Sequence, residues 1–123
     1  MGKVWEEAFA DPVIGDEFAA SGVVLKLHYT DPQAVMTVDM PNKKVVYGPE
    51  GPKPSVEMFM KADVAHGFWL GKVNVSMALA KGQMRAKGPI PKILKLVPVA
   101  KKLFPRYREL LERAGRQDLI TAV

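Results

Sequence analysis

The sequence predicts a single α/β (α+β) domain, and three observations carry that expectation. Its 123 residues suit one domain large enough to bury a substantial core. Five short segments alternate apolar and polar side chains at the two-residue period of a half-buried strand. Around them run segments whose apolar residues recur at helical spacing, several closed by glycine. Hydrophobic residues make up 48% and charged ones 25%, a globular balance that excludes a disordered chain.

Taken in order, Gly2 to Ala20 reads as helical, with Val4, Trp5, Ala8 and Phe9 on one side and Ile14, Phe18 and Ala19 continuing the stripe. Asp11-Pro12 interrupts it and recaps a second segment. Trp5 and Phe9 read as core anchors. Gly22 to Thr30 alternates Val23, Leu25, Leu27 and Tyr29 against Val24, Lys26 and His28, and Asp31-Pro32 turns the chain. Gln33 to Met40 and Lys43 to Tyr47 follow, joined at Pro41-Asn42, so three strands make an antiparallel meander. Gly48 to Pro54 (GPEGPKP) is a loop, since proline removes ladder donors and glycine raises backbone entropy.

The centre of the chain is PSVEMFMKADVAHGFWLGKVNVSMALAKGQMRAKGPIPKILKL, residues 54–96. Ser55 to Met60 alternates as a fourth strand, although Phe59 on its polar side calls for a cover. Asp63 stands at the start of a helical run containing Phe68 and Trp69 and ending at Gly71. Asn74 opens a second short helix that stops at Gly82, with Met77 read as inward. Gln83 to Lys87 is the fifth strand, and Gly88 breaks it. Pro89 and Pro91 open a helix with Ile90, Ile93, Leu94 and Val97 on one face, interrupted at Pro98; a basic amphipathic segment follows, bent at Pro105 and capped by Gly115.

The run ADVAHGFWLGKVNVSMALAKGQMRAKGPIPKILKL resembles the core motif of the sterol carrier protein type 2 (sterol-binding) domain family. Asp63, Gly71, Lys72, Ala78, Gly82, Lys87 and Gly88 stand at the matching places. With the upstream strands, the resemblance spans about Gly22 to Leu96; Pro89 and Pro91 depart from it, as does the absence of Asn-Pro after Gly71-Lys72. It implies a five-stranded, mainly antiparallel sheet with helices covering one face and enclosing an apolar cavity. It divides the chain into a helical segment at 1–21, a core at 22–96 and a basic helical extension at 97–123. Six of the seven methionines, Met36, Met40, Met58, Met60, Met77 and Met84, lie in the core. By composition alone they describe a solid methionine-rich interior; the resemblance implies a tunnel, lined by Met58, Phe68, Trp69, Met77, Met84, Ile90, Ile93 and Leu94.

Charge is uneven: residues 1–80 carry seven Lys/Arg against ten Asp/Glu, and 81–123 carry eleven against three. A basic amphipathic C-terminal third reads equally as a solvated helix face that aids solubility or as a segment drawn to anionic surfaces, and on the second reading Lys101, Lys102, Arg106 and Arg108 are the expected membrane contacts.

No zinc helix, phosphate loop, dinucleotide motif or nucleophile elbow is present, so neither an enzyme nor a cofactor or metal site is expected. His28, His66, Ser21, Ser55 and Ser76 take structural roles on this reading, and Asp39 with Glu57 is a weak candidate carboxylate pair. The absence of cysteine, signal and apolar span agrees with a cytoplasmic protein. The expected function is non-catalytic binding or transfer of a lipid, such as a fatty acid, acyl thioester or sterol-like molecule. The alternative is an accessory protein of the same fold with a collapsed cavity, docking an enzyme or membrane through its basic helix. Nucleic acid is set aside because no recognition signature supports it.

Overall fold

The structure, a computed structural model, describes residues 2–31 and 33–113. Helices α1 (Gly2–Ala10) and α2 (Pro12–Ala20) lead into strands β1 (Val24–Thr30), β2 (Ala34–Asp39), β3 (Lys44–Tyr47) and β4 (Val56–Lys61). Helices α3 (Ala62–Trp69) and α4 (Val75–Ala80), strand β5 (Met84–Lys87) and helices α5 (Ile90–Lys101) and α6 (Phe104–Arg113) complete it. Gly115 and the rest of 114–123, and Pro32 of the expected first turn, lie outside the described residues.

The strands form one sheet in the order β3-β2-β1-β4-β5, with every neighbouring pair antiparallel except β1 and β4. That parallel pair follows from the connection at 48–55, which returns the chain from the end of β3 to the start of β4. It travels over one face of the sheet, where Lys26 Nζ donates to the Pro49 carbonyl at 2.9 Å. Gly51 lies so near Thr37 that a Cβ there would stand 3.2 Å from its Oγ1. This is why Thr37 and Asp39 are buried although they occupy the outward positions of β2.

Register sorts the side chains as the alternation demands. Leu25 faces Val38 and Val56, Leu27 faces Met36 and Met58, and Tyr29 faces Met60, which in turn faces Met84. These form the apolar floor, and the helices lie on it, contributing Val4, Trp5, Phe18, Trp69 and Leu96, with Leu103 from the turn between α5 and α6, to one continuous core. Gly71, Gly82 and Gly88 all take positive φ, as expected of glycines that end helices or break strands. Gly88 also leaves no room for a side chain, since a Cβ would lie 2.8 Å from the Ser55 carbonyl.

Two expectations near the C-terminus are corrected. Pro98 does not interrupt α5, which runs through it. The bond it removes is the one that the carbonyl of Leu94, four residues earlier and 39% exposed, would have accepted. Nor does Pro105 bend the following helix, because it sits in the first turn of α6, where its missing N–H is no loss.

The two ends of the chain are clasped at Asp11. Its carboxylate caps α2 by accepting from the amides of Val13 and Ile14, and it accepts from Arg106 of α6 at 2.5 Å. The Ile14 amide first and the Arg106 guanidinium next hold this carboxyl below its ordinary value of 3.8. Stability from a lowered carboxyl is present above the unfolded value and is lost as pH falls through the folded one. Asp11→Asn keeps a capping oxygen but removes the charge. It should lower the Tm at neutral pH and flatten its decline below pH 3.8 relative to the parent, read by circular dichroism melts. Equal acid slopes in the two proteins would remove Asp11 from the clasp.

Candidate functional site

Between the apolar floor and the helices lies a cavity of about 70 Å³. Leu25, Leu27, Tyr29, Met58, Met60 and Met84 line it from the sheet. Trp5 of α1, Ala65, Phe68 and Trp69 of α3 and Val75 of α4 line it from above, with Ile93, Leu96, Val97 and Ala100 of α5. Its volume equals roughly two waters at ~30 Å³ each, and a wall so apolar keeps water out.

The walls are set by aromatic edges. Trp5 meets Trp69 at 5.2 Å and 84°, and Phe18 at 5.3 Å. Phe68 meets Trp69 at 5.1 Å and Phe104 at 5.3 Å, both edge to face. Rings so placed hold each other by roughly 0.5–1.5 kcal/mol per pair beyond their buried area. At the α6 end, Tyr107 Oη lies 2.5 Å from His66 Nδ1. Burial pushes the Tyr107 hydroxyl up to about 12, and burial with the nearby Tyr107 raises Tyr29 further still, so both phenols remain neutral donors. Among the described residues the buried Trp5 Nε1–H has no acceptor, at a cost of about 1–3 kcal/mol.

The expected lining residues divide into two groups. Met58, Phe68, Trp69, Met84 and Ile93 come together around the cavity. Met77, Ile90 and Leu94 do not: they are 55%, 43% and 39% exposed. In α4 the buried pair is Val75 and Ala78, and six residues capped by Asn74 are too short for periodicity to fix their phase. In α5 the buried line is Ile93, Leu96 and Ala100, which turns Ile90 and Leu94 towards the rim. Trp5, Tyr29, Val75 and Leu96 are lining residues that the resemblance did not name; Trp5 had been read only as an anchor, and it is both anchor and wall.

Leu94 instead borders a surface groove of about 450 Å³ between α5 and the 71–76 segment, with Lys72, Lys101 and Phe104. Phe68, Val75 and Val97 line both groove and cavity, so these three side chains are the partition between them.

The four cations expected at a membrane are placed differently from one another. Lys102 donates to Glu17 at 2.7 Å, Arg106 to Asp11 and to the Glu7 carbonyl, and Arg108 to the Leu70 carbonyl at 2.9 Å. They serve as ties between α6 and the rest of the fold, while Lys101 is exposed on the groove's rim. Asp39 and Glu57 are not brought together either. Asp39 holds Asn42 at 2.8 Å, and Glu57 holds His28, which stacks on Phe59 at 4.3 Å. That stack, with Lys87 over the Phe59 ring, is what covers Phe59 on the outer face. Among the described residues no three His, Cys, Asp or Glu side chains converge on a metal position, and no helix is long and apolar enough to cross a membrane.

No protein-family model matches the chain, and no curated protein matches it in sequence. Its fold is nevertheless that of the sterol carrier protein 2 domains. It superposes on the apo form of Sterol Carrier Protein 2 from Yarrowia lipolytica with a TM-score of 0.69 and 16% identity, covering 80% of this chain and 85% of that one. Sterol Carrier Protein-2 from Aedes aegypti, in complex with the C16 fatty acid palmitate, matches with a TM-score of 0.58 and 20% identity over 79% of this chain and 94% of that one. The same fold recurs inside a larger enzyme. A stereoselective inverting sec-alkylsulfatase from Pseudomonas sp. matches 69% of this chain with a TM-score of 0.62 and 15% identity, over only 14% of its own length.

These placements yield a paired prediction. Ala65→Leu puts new atoms into the void and should leave the Tm within a few degrees of the parent, whereas an already filled interior would lose about 1–3 kcal/mol. Met77→Trp, on an exposed position, should change stability by no more than about 0.5 kcal/mol. Thermal melts of both variants check the assignment, and a large loss at Met77 would contradict its exposure.

Proposed function

We propose that this protein binds a lipid with an acyl or sterol-like body in the cavity between sheet and helices, and carries it without chemically changing it. The observation that supports this most directly is the cavity's lining: fifteen residues from sheet and helices, all apolar or aromatic, in a fold shared with a palmitate-bound sterol carrier protein. Burial is the mechanism, at ~0.8 kcal/mol for each CH₂ removed from water.

A space of about 70 Å³ admits only a short length of chain, so loading requires the partition to move. Phe68 is the side chain best placed for this, since it is half-buried and faces both cavity and groove. The small volume also favours a second reading, an accessory protein of the same fold whose cavity stays closed. Native mass spectrometry of freshly purified protein separates the two by the presence or absence of bound lipid.

The quantitative test uses a Trp5→Phe background, so that Trp69 alone reports. Titration with a fluorescent C16 fatty acid should change Trp69 emission and saturate in the micromolar range, and Ala65→Leu should weaken binding at least about tenfold, as a blocked cavity requires. Unchanged emission at saturating probe, or an Ala65→Leu affinity equal to the parent's, would favour the closed-cavity reading.

A further inference from the structure

From position 64 to 108 the chain carries ten Lys/Arg and no Asp or Glu. Three of the five large apolar side chains exposed among the described residues, Met77, Ile90 and Leu94, lie within that stretch, on α4 and α5. We propose that the outer surface of α4 and α5 is a docking face for an anionic bilayer, with Met77, Ile90 and Leu94 entering the headgroup layer and Lys92 and Lys95 contacting lipid phosphates. The inference takes its purpose from the lipid-carrying reading, but its test does not require a loaded cavity.

The composition of α5 favours a bilayer over a macromolecular partner. IPKILKLVPVAK contains only aliphatic, proline and lysine residues. It has no serine, threonine, asparagine, glutamine or carboxylate to make the directional hydrogen bonds that a protein partner would read. Its cations are lysines, compact point charges suited to a diffuse array of phosphates, not the planar forks that select a fixed carboxylate geometry. Lys92 and Lys95 are exposed on the same helix as exposed Ile90 and Leu94, so its solvent side carries both cationic and apolar groups, as an interfacial helix does. Four of the stretch's other cations are disposed elsewhere. Lys102, Arg106 and Arg108 are engaged within the fold, and Lys87 lies over Phe59 on the outer sheet face. The position of this face relative to the cavity gives it a use. Leu94, Lys72 and Lys101 border the groove whose inner wall, Phe68, Val75 and Val97, is also the cavity wall. A bilayer held against α5 would therefore meet the shortest path to the interior.

The test is flotation of the whole chain with vesicles of pure phosphatidylcholine and of phosphatidylcholine with roughly one third phosphatidylglycerol, in low and physiological salt. The parent should bind only the anionic vesicles. Lys92→Gln/Lys95→Gln should bind them roughly thirtyfold more weakly, and Ile90→Ser/Leu94→Ser should lose the binding that survives salt. Arg85→Gln/Lys87→Gln, whose charges stand with Phe59 on the outer face of the sheet and not on α5, should weaken binding several-fold less than Lys92→Gln/Lys95→Gln at physiological salt. Absence of anionic-vesicle binding, equal losses from the two charge pairs, or equally tight binding of a single-stranded oligonucleotide through Lys92 and Lys95 would overturn the proposal. Fluorescent fatty-acid affinity in vesicle-free solution, measured on the same variants, keeps the two proposals apart. Unaltered probe binding with no vesicle binding defeats the docking face alone, and vesicle binding without probe binding defeats the carrier reading alone.

Discussion

The fold depends on the ring of Trp69. One face of a five-stranded sheet must be covered, and the covering helices come from both ends of the chain, so something must join elements far apart in sequence. Trp69 is 3% exposed and stands near four other aromatic rings: Trp5 from the N-terminal helix, Phe68 beside it, and Phe104 and Tyr107 from α6. It projects from α3, an eight-residue helix held directly between β4 and Gly71, so its position is inherited from the sheet. The terminal helices dock against that fixed point, and the polar clasp from Asp11 to Arg106 then sets the angle between them.

Edge-to-face rings hold the cavity's walls in position, and the space between them and the aliphatic floor is left unfilled in an interior that otherwise packs closely. A void of about 70 Å³, at ~24 cal/mol per Å³, costs roughly 2 kcal/mol. An interior that carries this cost gains stability from being filled.

The parts of this structure legible in the sequence are those fixed locally. The break at Asp11-Pro12, the alternation of Val23 to Tyr29 and the left-handed glycines at Gly71, Gly82 and Gly88 each follow from the chemistry of a few adjacent residues. The facing of α4 was not legible, because six residues hold under two turns and both Met77 and Ala78 fit an inward stripe. Pro98 reads as a break because proline removes a helix bond, yet the loss is confined to the bond to the Leu94 carbonyl and packing of Ile93, Leu96 and Ala100 carries the helix through it. The ties of Lys102 and Arg106 join residues 85 and 95 positions apart, and no local pattern reveals such partners. Of the four cations expected at a membrane, only Lys101, at the end of α5, forms no ion pair or side-chain hydrogen bond among the described residues.

This redistribution bears on how a closed cavity and an open surface cooperate. The sheet's two faces have diverged, with one carrying the apolar floor and the other the His28–Phe59 stack, Lys87 and the overlying 48–55 connection. Access to the floor must therefore come through the helical layer. There the clasped α1, α2 and α6 are braced by aromatic edges and ion pairs, while α4 and α5 expose apolar side chains and α5 alone carries a proline in its interior. An α5 that contains Pro98 lacks one backbone hydrogen bond at the turn bordering Phe68, Val75 and Val97, which lowers the cost of displacing that turn. The part of the layer that is cheapest to move is thus the part that separates the cavity from the groove, and it is also the part whose surface is least suited to bulk water.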